Sequence, residues 1–280
     1  MPPSTQTQDS GPPAHRRLLR RIKSVLLTPA SVYRLYLRCK YGAGRVALPG
    51  SLTSAGLPNR VLQSRAEWRD STDHARQLHL PLHRAPEKNW DHLAAVYAIA
   101  GATPRSARIL DAGAELYSNV LPALFVLGYR DLYGMNLAFT VPARRGLIRY
   151  LPGDITRTGF PDSFFDAVTC MSVIEHGVPL DAYLREMYRV LKPGGLLITS
   201  TDYYPEPIDT YGKFAYGAPI KVFSKADIEE LLGQARACGF EATGHIDMSC
   251  NSPTVRWDAC DLEFTFIIST LRKPMAVSGR

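Results

Sequence analysis

Five short segments of this chain gather polar side chains directly after apolar runs. They are Asp111-Ala-Gly113-Ala-Glu115, Gly134-Met-Asn136, Gly153-Asp154-Ile155, Ser172-Val-Ile-Glu175-His176 and Thr201-Asp202-Tyr203-Tyr204. Carboxylates accept hydrogen bonds from hydroxyls and amines, and an amide such as Asn136 both accepts and donates. His176 could take a proton from a hydroxyl, with Glu175 or Asp202 as its partner, or it could simply order its loop. Glu115 reads either as a first-turn acid favoured by a helix dipole or as a ligand contact. Its carboxylate would repel the pyrophosphate that a dinucleotide brings to a helix N-terminus. Asp162 and Asp166 read as turn and packing residues, and Cys170, in an apolar run, as core. No metal site is expected: His79 and His83 flank Leu-Pro-Leu, and proline blocks the helical spacing that pairs two histidines on one metal. The five cysteines are scattered without a Cys-x-x-Cys pair, which points to reduced thiols.

The elements that must hold these segments follow from hydropathy. Ala107–Gly113, Asp131–Leu137, Leu147–Gly153, Phe165–Met171 and Leu196–Thr201 read as buried strands. Between them, Val120–Leu127 reads as a helix closed by Gly128. Leu180, Leu184, Met187 and Leu191 make one helical face stopped by Pro193-Gly194-Gly195. An earlier helix opens at Asn89 or Asp91 and runs to Gly101. Ser224 and Asp227 fit a capping box ahead of Ile228, Leu231, Leu232 and Ala235. Glu241–Met248 and Glu263–Leu271 read as two last strands. Repeated βα units imply an α/β fold with a mostly parallel sheet and helices on both faces. In such sheets ligands bind beyond the C-terminal strand ends, where the five polar segments lie.

Four segments in order resemble the class I S-adenosylmethionine-dependent methyltransferase superfamily, and its type 11 branch most closely. They are Arg108-Ile-Leu-Asp-Ala-Gly113, Tyr133-Gly-Met-Asn-Leu137, the stretch from Gly153-Asp154 through Phe160-Pro-Asp-Ser-Phe-Phe-Asp166 to Ile174-Glu-His176, and Arg189-Val-Leu-Lys-Pro-Gly-Gly195. The resemblance covers about 107–272. It implies a Rossmann-like, seven-stranded sheet of order 3-2-1-4-5-7-6 with strand 7 antiparallel. It implies S-adenosyl-L-methionine as cofactor, held by Asp111, Gly113, Glu115, Asn136, Asp154 and Ile155. Asn136 would meet the ribose, and Asp154 and Ile155 the adenine. Glu115 and Tyr117 stand where the family loop has its second and third glycines, and Asn136 where it usually has an acid. An acidic loop suits the cationic methyl donor better than a dinucleotide. The implied reaction is methyl transfer to an oxygen or nitrogen of a small-molecule, glycan-linked or lipid-linked acceptor, with His176, Glu175 and Asp202 as catalytic candidates. The pocket walls are expected from residues 60–92 and 203–222, including Trp68, Trp90, Tyr211, Phe214 and Tyr216. The alternatives are an inactive Rossmann-like binding module and an RNA methyltransferase.

The net charge of +7 is unevenly placed. Residues 1–66 hold eleven basic side chains against one acid, Asp9, so the body is mildly acidic. Residues 1–13 are expected to be disordered, 14–90 to form a basic, mostly helical arm or cap with a break at Pro29, 91–273 to be the catalytic domain, and 274–280 a disordered tail. The arm could lie on an anionic membrane surface through residues 14–45, bind nucleic acid, or pack on the body as a lid. The acidic body and the lack of an Asn/Asp-Pro-Pro-Tyr motif make nucleic acid the least favoured partner. No apolar run nears the roughly 20 residues that span a bilayer, and no secretory signal is evident, so a cytoplasmic, membrane-peripheral setting is expected.

Overall fold

The computed structural model describes residues 25–43 and 57–275. The expected disorder of 1–13, the first helix of the arm, the turns around Gly42–Gly56 and the end of the tail lie wholly or largely outside the described residues.

The centre of the molecule is the predicted parallel sheet. Strands β2 (Arg108–Ala112), β3 (Asp131–Asn136), β5 (Ile148–Pro152), β6 (Phe165–Met171) and β7 (Leu191–Tyr203) run parallel in the order β5-β3-β2-β6-β7. The long β12 (Leu262–Arg272) adds antiparallel to β7, and the two-residue β10 (Glu241–Ala242) pairs with β12 from outside. Counting β2 as first, β10 as sixth and β12 as seventh, the order is the expected one. Three strands are additional: β1 (Arg60–Val61) on β12, β4 (Ala143–Arg145) on β5 and β11 (Val255–Trp257) on β12. A separate small hairpin joins β8 (Phe214–Ala215) to β9 (Ala218–Pro219).

Alternation along the strands divides the core in two. Ile109, Leu132, Ile148, Ala167 and Ile198 face one layer, built from α1 (Ala30–Tyr41), α2 (Arg65–Gln77), α3 (Asn89–Ala102) and α4 (Val120–Val126). Leu110, Met135, Val168, Leu197 and Ile267 face the other, built from α5 (Leu180–Val190) and α6 (Lys225–Ala237). The capping box at Ser224 and Asp227 forms as predicted and starts α6. Gly128 ends the α4 segment with φ +97°, a conformation that glycine adopts without strain.

The departures from expectation have local causes. Pro193-Gly194-Gly195 does not separate α5 from a later strand. Leu191 already pairs with Phe165, and the register then jumps so that Ala167 faces Leu196, making the Pro-Gly-Gly run a bulge inside β7. The expected strand 241–248 stops at Ala242 because β1 occupies its place: Arg60 and Val61 pair with Ile268 and Ile267 on the outer edge of β12. Asn59 locks the junction. Its Oδ1 accepts from Thr270 N at 2.7 Å and its Nδ2 donates to Thr243 Oγ1 at 3.0 Å. Residues 57–90, read as part of the cap, thus contribute a strand and a helix to the body. Helix α2 falls within the stretch 14–90 expected to be mostly helical, where no individual helix after residue 42 was delimited, and Ser64 caps it by accepting from Glu67 N. That Ser-x-x-Glu signal was present in the sequence.

Candidate active site

The chain leaves β2 toward β3 and β5 on one side and returns through β6 and β7 on the other, so the sheet's switch point lies between β2 and β6. A hydrogen bond spans that point. Asp111, buried at the end of β2, accepts from Thr169 Oγ1 at 2.7 Å. Burial pushes the Asp111 carboxyl up to about 6, although Thr169 and the nearby His92 pull the other way. Gly113 follows with φ +89°, its N–H donating to Met135 O at 2.8 Å. A Cβ there would overlap Val173 Cγ2 and lie 2.8 Å from Cγ1, so the loop after β6 packs directly on the loop after β2.

Asn136 ties the second strand end to the first. Its Nδ2 donates to Gly113 O at 2.9 Å while its Oδ1 accepts from Ala138 N at 2.8 Å. Gly153 N donates to Asn136 O at 3.2 Å, which brings the third loop alongside. There Asp154 is exposed, one oxygen accepting from both Thr156 N and Thr156 Oγ1, and Ile155 is buried against the sheet. Glu115 occupies the half-buried turn after Gly113, its N–H donating to Ser118 Oγ at 3.0 Å. The six residues expected at the cofactor therefore lie on three neighbouring loops at one end of the sheet.

On the other side of the switch point Glu175 and Asp202 are buried together. Glu175 Oε2 accepts from Thr201 Oγ1 at 3.0 Å. Burial raises both carboxyls; the neighbouring Asp202 charge raises Glu175 further, while Lys88 opposes the rise at each. His176 pairs with neither carboxylate. Its Nδ1 is buried without a hydrogen-bond partner among the described residues, and its ring meets Tyr216 edge-on at 5.3 Å. Burial and then the Lys88 charge lower His176 to about 4, so it is neutral at physiological pH. The expected link from His176 to Glu175 or Asp202 is therefore replaced by a contact between the two carboxyls themselves.

Sequence reasoning missed the groups that complete this cluster. Lys88 closes a 3-10 turn (Pro86–Lys88), and its Nζ donates to Ser172 Oγ and lies 3.6 Å from Asp202 Oδ1. Asp91, on the first turn of α3, accepts from Ser200 Oγ at 2.5 Å. Nothing in local pattern distinguishes Lys88 and Asp91 from solvated charges; only the fold brings them to β6 and β7. Of the expected wall residues, Trp90 is core, with Arg60 stacked 5.2 Å above its ring. Tyr211, Phe214 and Tyr216 are exposed on and beside the β8–β9 hairpin. Tyr117, at the third glycine position, leans on His83 with ring centroids 5.6 Å apart. No helix among the described residues is long and apolar enough to cross a membrane.

Residues 112–199 match the family model described as a methyltransferase domain. Among curated proteins the chain is similar to sterol 24-C-methyltransferase erg-4 of Neurospora crassa, 27% identical over 118 residues, covering 40% of this chain and 31% of that protein. It is also similar to sterol 24-C-methyltransferase of Candida albicans, 29% identical over 119 residues, covering 39% and 31%. The match thus spans under a third of these relatives' length. Among solved structures the YcgJ protein of Bacillus subtilis aligns with a TM-score of 0.51 at 14% identity, covering 66% of this chain and 99% of that one, which shows a shared fold. The strand order, the loop at Gly113 and the matched segment agree: residues 112–199 match a methyltransferase domain, within a sheet ordered as the resemblance to class I, S-adenosylmethionine-dependent methyltransferases implies.

Proposed function

We propose that this protein transfers the methyl group of S-adenosylmethionine to an oxygen or nitrogen of a small-molecule, glycan-linked or lipid-linked acceptor. The observation that supports this reading is the packing of Val173 on Gly113, which sets the loop carrying Glu175 against the loop expected to hold the cofactor. The donor set there fits that cofactor. Asp111, Glu115 and Asp154 offer carboxylates to a cationic ligand, and Gly113 gives close backbone approach. Asn136 offers an amide at the second strand end, and Ile155 an apolar side chain at the third. When bound, the sulfonium supplies an already activated methyl group. The protein's own task is to align the acceptor, exclude water and receive the acceptor's proton. Glu175 and Asp202 are the proton-handling groups in this reading, and His176 with Tyr216 forms part of the mouth.

Calorimetric titration with S-adenosylmethionine and S-adenosylhomocysteine, with NAD as control, tests it. Micromolar binding of the first two, weakened by Asp111→Ala and Asn136→Ala, is expected. A folded protein that binds neither would be an inactive module, with Glu115 and Tyr117 closing the site.

One surface favours the lipid-linked end of the acceptor range. Helix α1 buries Tyr33 and Leu37 and turns Val32 and Leu35 outward, flanked by Arg34 and Arg38. Val25 and Leu26 are exposed just before it, where Leu27 O accepts from Gly146 N beside Arg144. Exposed aliphatics among arginines, without a nearby acid in sequence, suit the interface of an anionic bilayer.

A further inference from the structure

We propose that Lys88 is a positioning residue for methyl transfer, its ammonium fixing Asp202 as the carboxylate that takes the acceptor's proton. The inference rests on the proposed methyltransferase reading and adds to it a residue from outside the matched segment.

A single ammonium reaches three strands. Lys88 Nζ donates to Ser172 Oγ just after β6, lies 3.6 Å from Asp202 Oδ1 on β7, and sits 3.7 Å above the Phe266 ring on β12. Three carboxyls face it from other elements or the following helix: Asp202, Asp91 and Glu175, with Glu87 beside it on its own turn. Their attraction outweighs the burial that would otherwise lower the lysine, so it remains charged. His176 and His83, which also feel the Lys88 charge, are both lowered to about 4 by burial first, and are neutral.

The three buried carboxyls are not equivalent. Asp91 accepts from Ser200 Oγ and, through its other oxygen, from His92 N at 2.9 Å. Glu175 accepts from Thr201. Asp202 Oδ1 is buried and has no hydrogen-bond donor among the described residues, although the ammonium is 3.6 Å away. One ammonium does not balance Glu175 and Asp202 together, so a proton stays on that pair. Lys88 lies against Asp202, which leaves that proton on Glu175 and Asp202 ionised. An acceptor hydroxyl reaching Oδ1 would then meet an ionised oxygen with lone pairs to spare. As the acceptor oxygen forms its bond to the methyl carbon, its O–H bond breaks and the proton passes to Asp202. The electron pair of the broken S–CH3 bond stays on sulfur, which becomes a neutral thioether. A cation and a carboxylate are consumed and two neutral groups are left, so charge balances.

The test is a carbon-13 NMR pH titration of the full-length chain labelled at Asp and Glu carboxyls, with D202N and E175Q assigning the two resonances. In the wild-type chain Asp202 should titrate at lower pH than Glu175. In K88M, and in K88Q, which keeps reach to Ser172 without charge, Asp202 should move up by at least one pH unit, a tenfold gain in proton affinity. K88R should restore it. A merely structural lysine would lower the melting temperature of its variants without moving the Asp202 titration. Wild-type Asp202 titrating above Glu175 overturns the proposal even if no lysine variant folds, and so does a titration indifferent to K88M. The calorimetry above is independent: cofactor affinity can fail while this titration succeeds, and the reverse.

Discussion

Replacing Gly113 by alanine probes the joint between the two halves of the site. The new Cβ meets two separable obstacles. The backbone sits at φ +89°, where an L-residue is strained by about 1–3 kcal/mol. The Cβ also enters the space of Val173, which must shift, and overpacking of this kind costs about 1–3 kcal/mol. Together G113A should destabilise the fold by about 2–5 kcal/mol, a large part of an ordinary domain's roughly 5–15 kcal/mol. Urea denaturation followed by circular dichroism should show the midpoint falling with the slope unchanged. V173A on its own leaves a small void and costs about 1–2 kcal/mol. In the double variant the collision is gone but the backbone strain remains, so the pair should couple favourably by about 1–3 kcal/mol. Because Gly113 lies in the loop expected to hold the cofactor and its carbonyl accepts from Asn136, G113A should also weaken cofactor binding more than V173A does. A cost below 1 kcal/mol for G113A, or strict additivity of the pair, would show that the two loops do not bear on each other.

Asp111 makes a pH prediction. Its folded pKa, about 6, lies above the ordinary carboxylate value, so the folded state binds this proton more tightly than the unfolded chain. The contribution to stability is complete below about pH 4 and is lost as pH rises through 6. Asp111→Asn should therefore stabilise the ligand-free protein at pH 7.5, by on the order of 3 kcal/mol at most, flatten the stability profile between pH 4 and 6, and weaken S-adenosylmethionine binding. Equal melting temperatures for the two proteins at pH 7.5 would refute it. Asn59→Ala should cost about 2–3 kcal/mol through its two lost bonds, and hydrogen exchange should quicken at Thr270 before it does in β2. In flotation with phosphatidylcholine vesicles containing about 30% phosphatidylserine, the chain should bind, and V32D/L35D should reduce binding roughly tenfold while leaving S-adenosylhomocysteine affinity intact. Equal binding to neutral vesicles, or none, would remove the membrane reading.

The parallel sheet was legible because β2 and β6 are short, mostly apolar runs buried along nearly their whole length and β7 carries Leu196-Leu197-Ile198, and because Gly128 and Ser224 carry their own stop and start signals. The polar loops at that end of the sheet were legible because Asp111, Asn136 and Asp154 sit at or just past the ends of β2, β3 and β5. Helix α2 was obscured by its composition: Arg65–Gln77 buries only Thr72 and Ala75, so it shows no apolar stripe. The shortness of β10 depends on β1, two residues long and far away in sequence, which no local window reports. The same holds for the acidic cluster. Lys88 is 84 residues from Ser172, and Asp91 is 109 from Ser200. Each reads locally as a surface charge, and its meaning comes from the partner.

The placement of β1 also bears on how this protein is made. Arg60 pairs with Ile268, so a strand that emerges early in synthesis must wait for one near the other end of the chain. At roughly 5–20 residues per second the wait is about 10–40 s. Until then β1 has no ladder to join, and once β12 docks on β7 its outer edge stays open over Ile267 and Ile268 until β1 arrives. The outer edge of β12 is therefore completed only by a strand about 208 residues before it in the chain. Chains in which β12 has not yet docked should stay open to protease at the Asn59 junction.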